Sequence, residues 1–216
     1  RDADFLGFGE ADVETIKTIF AEIMAIAGDD GLEFDIGALT ATTIREEMEY
    51  GGIRLKTSVY LERTRIPITL DIAFGDALVD AAQSIDYPSL LDMERPHLRA
   101  YPPAQVIAEK FQAVVAFGLA NGRMKDFYDL WAVPKAMPVA EQELAAAIAA
   151  TFERRGTPIP IKCPAGLSAV MAEDAAAQQR WRAYMESLEL PVPEFAGVLD
   201  GIWTLLAPCC VKLNKA

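Results

Sequence analysis

The chain has 216 residues, 52% of them hydrophobic, and a formal net charge of −12. That length holds one large domain or two small ones, and that apolar fraction supplies a core and excludes a disordered chain. The acidic balance excludes broad electrostatic attachment to nucleic acid, though not a local basic site.

Three cysteines, Cys163, Cys209 and Cys210, and one histidine, His97, offer no metal-ligand spacing. Free thiols are the expectation, not a structural zinc site. The most apolar stretch, Phe195 to Val211, is broken by Asp200 and Pro208, so no membrane span is expected.

The opening RDADFL reads as a strand with Asp2 and Asp4 on one face and Ala3 and Phe5 on the other. From Glu10 to Ala27, Val13, Ile16, Phe20 and Ile23 recur at helical spacing, with Asp12 and Glu14 at the positive end. GDDG at 28–31 is a turn, and Glu33 to Arg45 reads as extended. Ile53, Leu55, Val59 and Leu61 alternate with Arg54, Lys56 and Tyr60, predicting a half-buried strand. A turn near Arg63–Arg65 returns the chain into IPITLDIAF, where Ile66, Ile68, Leu70, Ile72 and Phe74 form an apolar stripe. Asp71 then lies on the opposite face, beside Thr69 and Ala73.

Asp86 to Pro96 reads as a linker. Beyond it, Pro102 and Pro103 start a helix to about Leu119, closed by Asn121-Gly122. Further helices are predicted at Lys125 to Val133, stopping at Pro134, at Glu141 to Arg154, at Ala172 to Leu188 and at Glu194 to Leu206, with a Pro/Gly loop at 156–166. A sheet followed by helices is an α+β fold: a mixed sheet domain over 1–95 and a helical domain over 96–216.

An Asp-x-Asp pair with one aspartate from a second strand is a minimal cage for two magnesium ions. Hard cations take oxygen ligands, and a triphosphate brings the rest. Asp2, Asp4 and Asp71 are the candidates for that set. The alternative is a solvated chain end at Asp2 and a solvent-facing strand residue at Asp71, although a mid-strand aspartate asks for a reason. Lys110 borders the apolar face of its helix and reads either as a snorkelling lysine or as a site cation. In GRMKDFYDLW, Phe127, Leu130 and Trp131 form an apolar set that leaves Asp126 and Asp129 together on another face. Asp126 caps the helix or pairs with Arg123 at the surface, or, with Asp129, orients substrate. Arg54 and Lys56, with Arg63 and Arg65, form either an anion patch or a solvated strand face. Trp131, Trp181, Trp203 and Tyr184 read as core.

RDADFLGFGE, the hairpin YGGIRLKTSVYLERTRIPITLDIAFGD, the segment YPPAQVIAEKFQAVVAFGLANGRMKDFYDLW and the late QRWRAYMESLELP, in that order, cover most of the chain. Together they resemble the AbiEii/AbiGii toxin family within the DNA polymerase β-like nucleotidyltransferases. The resemblance implies magnesium-dependent transfer of a nucleoside monophosphate from an NTP to an acceptor hydroxyl. In better-understood relatives the acceptor includes a tRNA end, and a cognate antitoxin offsets toxicity in the cytoplasm.

It also implies metal and catalytic roles for Asp2, Asp4 and Asp71, and a phosphate-contacting role for Lys110. Asp126, Asp129, Arg54 and Lys56 are then nucleotide- or substrate-binding groups. Such enzymes carry a Gly-Ser or Gly-Gly pair on a helix just before the Asp-x-Asp strand. This sequence starts at that strand, so the expectation is either a fragment or a protein without the motif. Two rival readings are a nucleotidyltransferase with a small-molecule or protein acceptor, and a catalytically degenerate binding module of the same fold.

Overall fold

Alternating apolar and polar residues make strands with one dry face, and in the first half of the chain a helix covers that face. The computed structural model describes residues 2–10, 12–44, 52–74, 82–87, 89 and 94–215. The chain divides into two compact units, Arg1–Asp76 and Ala77–Ala216.

In the first unit the elements run β1 (Asp2–Gly7), α1 (Val13–Met24), β2 (Leu32–Phe34), β3 (Thr40–Ile44), β4 (Gly52–Leu61) and β5 (Thr64–Phe74). The sheet order is β1-β5-β4-β2, with β3 also on β4. β1 is parallel to β5, and every other pairing is antiparallel, which makes the sheet mixed. β2 and β3 share one edge of β4 end to end: β2 pairs with Val59–Leu61 and β3 with Gly52–Lys56. The step between them is held by the Asp35 N–H donating to Ser58 O at 2.9 Å and by Thr57 Oγ1 donating to Asp35 O at 2.6 Å.

The helix begins where Asp12 accepts from the Thr15 N–H at 2.7 Å, an N-cap that satisfies one of the first-turn donors. Its Val13, Ile16, Phe20, Ala21 and Met24 pack on Leu55, Ile53, Leu70, Ile72 and Phe74. Phe5 of β1 meets Phe20 edge to face at 5.9 Å. The extended segment expected over 33–45 is two strands separated by a 3-10 turn at Ile36–Ala38, because Asp35 caps that turn by accepting from the Ala38 N–H at 3.1 Å.

The second unit holds β6 (Gln83–Asp86) and β7 (His97–Ala100), which pair with each other in a separate two-stranded ribbon. The segment Asp86 to Pro96 therefore connects two paired strands and is not an interdomain linker, and the division at 76 lies earlier than the expected 95. Six helices follow: α2 (Pro103–Phe117), α3 (Met124–Ala136), α4 (Glu141–Arg154), α5 (Ala169–Glu173), α6 (Ala175–Ser187) and α7 (Phe195–Leu213). Their core centres on Phe111, Phe127, Phe152, Ile148, Trp181, Ile202 and Leu206.

Several helix ends differ from expectation, most of them for a local reason. α2 is closed by Gly118, whose φ of 52° needs no Cβ penalty, and not by Asn121-Gly122. α3 runs through Pro134 to Ala136. Only two residues lie beyond the proline, the Met137 N–H donates to Val133 O at 2.8 Å, and Lys135 sits 3.4 Å over the Trp131 ring. The helix expected over 172–188 is two, since Asp174 leaves the helix to cap α6 by accepting from the Ala177 N–H at 2.6 Å. α7 continues past Pro208 to Leu213.

By length and composition α7 is apolar enough to cross a membrane. Its Phe195, Val198, Leu199, Ile202, Leu206, Cys209 and Cys210 form one buried stripe, while Asp200, Thr204 and Lys212 lie on the exposed side. That is the pattern of a helix packed on a protein core. Burial pushes the Cys210 thiol up to about 12 and raises Cys209, so both are protonated, unreactive core groups.

Candidate active site

Strand register decides which side chains meet on the open face of the first sheet. Asp4 of β1 is in register with Asp71 of β5, and Asp71 with Arg54 of β4, and Arg54 with Thr42 of β3. The next row is Thr69, Lys56 and Thr40, with the Asp2 backbone in register with Thr69. Residues paired across neighbouring strands share a face, so each row crosses the sheet on one side. The partners one residue along, Phe5, Ile72 and Ile53, lie on the face that α1 covers.

Asp4 is exposed, while Asp71 is only 22% exposed at its side chain. Arg54 grips Asp71 with a two-point fork: Nε donates to Oδ1 at 2.7 Å and an Nη donates to Oδ2 at 2.6 Å. These hydrogen bonds, with added attraction from Lys56, hold the Asp71 carboxyl below its ordinary value against the opposing effect of burial. Asp71 is therefore ionised at neutral pH. The Asp2 side chain lies outside the described residues, and among those described no group of three acidic, histidine or cysteine side chains forms a metal cage.

The donor set nevertheless suits a small hard cation. Magnesium is commonly held by one or two carboxylates, with phosphates and water completing the octahedron, and Asp4 and Asp71 supply such a pair on an open face. The demand of this face for positive charge is visible in Arg54, already seated on one of the two carboxylates.

A second constellation lies in the helical unit. α2 presents Lys110 to α3, and Nζ lies 2.8 Å from Asp126 Oδ1 and 2.8 Å from Asp129 Oδ2. The Lys110 side chain is 17% exposed, which removes the snorkelling alternative. Burial alone would push its ammonium down, but hydrogen bonds to both carboxylates outweigh it, and the net displacement is upward.

The carboxylates have outer partners as well. Lys125 Nζ lies 3.4 Å from Asp129 Oδ2, and Arg123 Nε lies 3.0 Å from Asp126 Oδ2. The latter approach is off the N–H axis, so Asp126 Oδ2 has a charged neighbour but no aligned hydrogen bond. The result is a chain of alternating charge, Arg123, Asp126, Lys110, Asp129, Lys125. Lys110 spends two of its three donors on it and keeps one.

Asp126 is buried to 3% exposure, unlike the surface pairing residue that its spacing from Arg123 suggests. Tyr184 of α6 borders the same cluster. Burial raises its hydroxyl, and the negative charge of Asp129 adds to that. It packs on Tyr128 at 6.1 Å and Trp181 at 6.4 Å, so it joins the cluster from the edge of the core to which the sequence assigned it. The grip of Arg54 on Asp71 and of Lys110 on both aspartates depends on pairings distant in sequence. Only the facial parity of Arg54 signalled the first in advance.

A family model described as nucleotidyl transferase AbiEii toxin, type IV toxin–antitoxin system, matches residues 1–205 of this chain. Neither a curated protein nor a solved structure matches it.

Proposed function

We propose, because this chain belongs to the AbiEii nucleotidyl transferase toxin family of type IV toxin–antitoxin systems, that its open sheet face transfers a nucleoside monophosphate from an NTP to an acceptor hydroxyl. The observation that carries this reading is the in-register placement of Asp4 and Asp71 on one exposed face of neighbouring strands. In it Asp4 and Asp71, joined by Asp2, would hold magnesium, whose chemistry is to neutralise phosphate charge and acidify a bound hydroxyl.

The protein's own groups do the rest. Asp71 accepts the proton of the acceptor hydroxyl. The hydroxyl oxygen bonds to the α-phosphorus, the bond from that phosphorus to the bridging oxygen breaks, and pyrophosphate leaves with the electron pair. Arg54 and Lys56, on the same face, are cations for the triphosphate or for the acceptor's phosphates. In the helical unit, Lys110, fixed by Asp126 and Asp129, is the phosphate-contacting cation that the family resemblance implies.

We take the acceptor to be an RNA end and the site of action to be the cytoplasm, and membership of a type IV toxin–antitoxin family implies a cognate antitoxin. The full-length protein is incubated with magnesium, each α-labelled NTP and total tRNA. Label in the RNA supports the reading. Label only in protein or small molecules replaces the acceptor, and no label with any NTP favours a binding module of the same fold.

A further inference from the structure

Asp71 is the centre of the candidate metal site, and both of its oxygens are engaged by Arg54. A guanidinium fork occupies the in-plane space between two carboxylate oxygens, which is where a chelated cation also sits. A divalent ion on either oxygen would then stand a few ångströms from a permanent positive charge, and the two repel. We propose that Arg54 is an exchangeable counter-cation of this site: it holds Asp71 until a divalent cation displaces it, and it then transfers its fork to the incoming triphosphate.

The proposal rests on the metal-site reading above and adds a consequence to it. Arg54 stands in the Asp71 row, Lys56 stands in the next row on the same face, and the Arg54 side chain is 41% exposed. The guanidinium therefore has room to leave the carboxylate without breaking the dry core beneath it. Its planar donors suit phosphate oxygens as well as carboxylate oxygens. Released from Asp71 with no phosphate present, Arg54 loses a two-point ion pair. Released in the presence of a triphosphate, it exchanges one for another. Cation and nucleotide should thus bind cooperatively, and Arg54 should be the source of the coupling.

Calorimetry with manganese tests this on the full-length protein, with and without a non-hydrolysable NTP analogue, for wild type, Arg54→Gln and Asp71→Asn. Wild type should bind manganese more tightly with the analogue present. Arg54→Gln should bind manganese about tenfold more tightly than wild type without analogue, and the analogue should add little. Asp71→Asn should bind weakly in either case. Arg54→Lys keeps the charge but not the fork. It should move in the same direction by less, and it decides the matter if the glutamine variant does not fold. Manganese affinity lost in Asp71→Asn but unchanged or weaker in Arg54→Gln overturns this inference alone. Absence of manganese binding in every protein, wild type included, overturns it together with the metal-site reading.

Discussion

Lys110 and Asp71 are both charged groups held in ion pairs, yet their environments assign them different weights. Lys110 lies between two carboxylates and is largely shut off from water, so removing its charge leaves Asp126 buried with a poorly aligned neighbour. Lys110→Met should cost about 2–4 kcal/mol, read from urea unfolding at pH 7. The folded ammonium titrates above its ordinary value of 10.5, so its contribution is complete below that pH and is lost as pH rises through the higher folded value. The gap between wild type and Lys110→Met should therefore stay constant from pH 7 to 9 and narrow above 10.5.

Asp71 works in the opposite direction. Its folded carboxyl lies below its ordinary value of 3.8, so its contribution is present above that pH and fades as pH falls through the lower folded value. Its guanidinium partner is half open to solvent, and Asp71→Asn should change stability by at most about 1 kcal/mol, with the same unfolding cooperativity as wild type. A loss of several kcal/mol would make the Arg54–Asp71 pair a structural strut and not a site awaiting a cation.

Elements were more legible in the sequence than their ends. The two-residue alternation of 53–61 and 66–74 and the helical spacing of 13–23 are local properties, and they appear as β4, β5 and α1, although Ile23 and Leu61, both expected on apolar faces, are 52% and 44% exposed. Endings depend on contacts that a window does not contain. Pro134 did not stop α3, because only two helical residues follow it and Lys135 and Met137 anchor the last turn. The second helical end of note is a close approach: a Cβ on Gly166 would lie 2.7 Å from the Val114 carbonyl oxygen of α2. Backbone cannot yield as a side chain does, so Gly166→Ala should destabilise by about 1–3 kcal/mol in thermal or urea unfolding. The loop at 156–166 was legible as Pro/Gly-rich, but its packing against α2 was not.

At the scale of the whole molecule, sheet followed by helices was readable from composition in order along the chain, and so was the family, whose model matches residues 1–205. Which side chains meet was not, because register between β1 and β5 joins residues nearly seventy positions apart. The net charge of −12 sets a further expectation for an RNA acceptor. On the proposed reading, and among the described residues of the sheet unit, the cations that would meet the RNA are few: Arg54, Lys56, Arg63 and Arg65 along the β4–β5 hairpin. The slope of log affinity against log salt should therefore be shallow, about −3, measured by fluorescence anisotropy with a labelled single-stranded RNA end. A slope near −10 would mean a much larger basic surface than this chain offers.

Under the proposed reading, Asp4 and Asp71, opposed on one sheet face, run nucleotidyl transfer. The most direct test is magnesium-dependent incorporation of label from α-labelled NTPs by the full-length wild type, Asp4→Asn and Asp71→Asn, each shown to be folded by its far-ultraviolet circular dichroism. Wild type should incorporate label, with a loss of at least about a hundredfold in each variant at unchanged fold. Incorporation that survives in folded Asp71→Asn would contradict it.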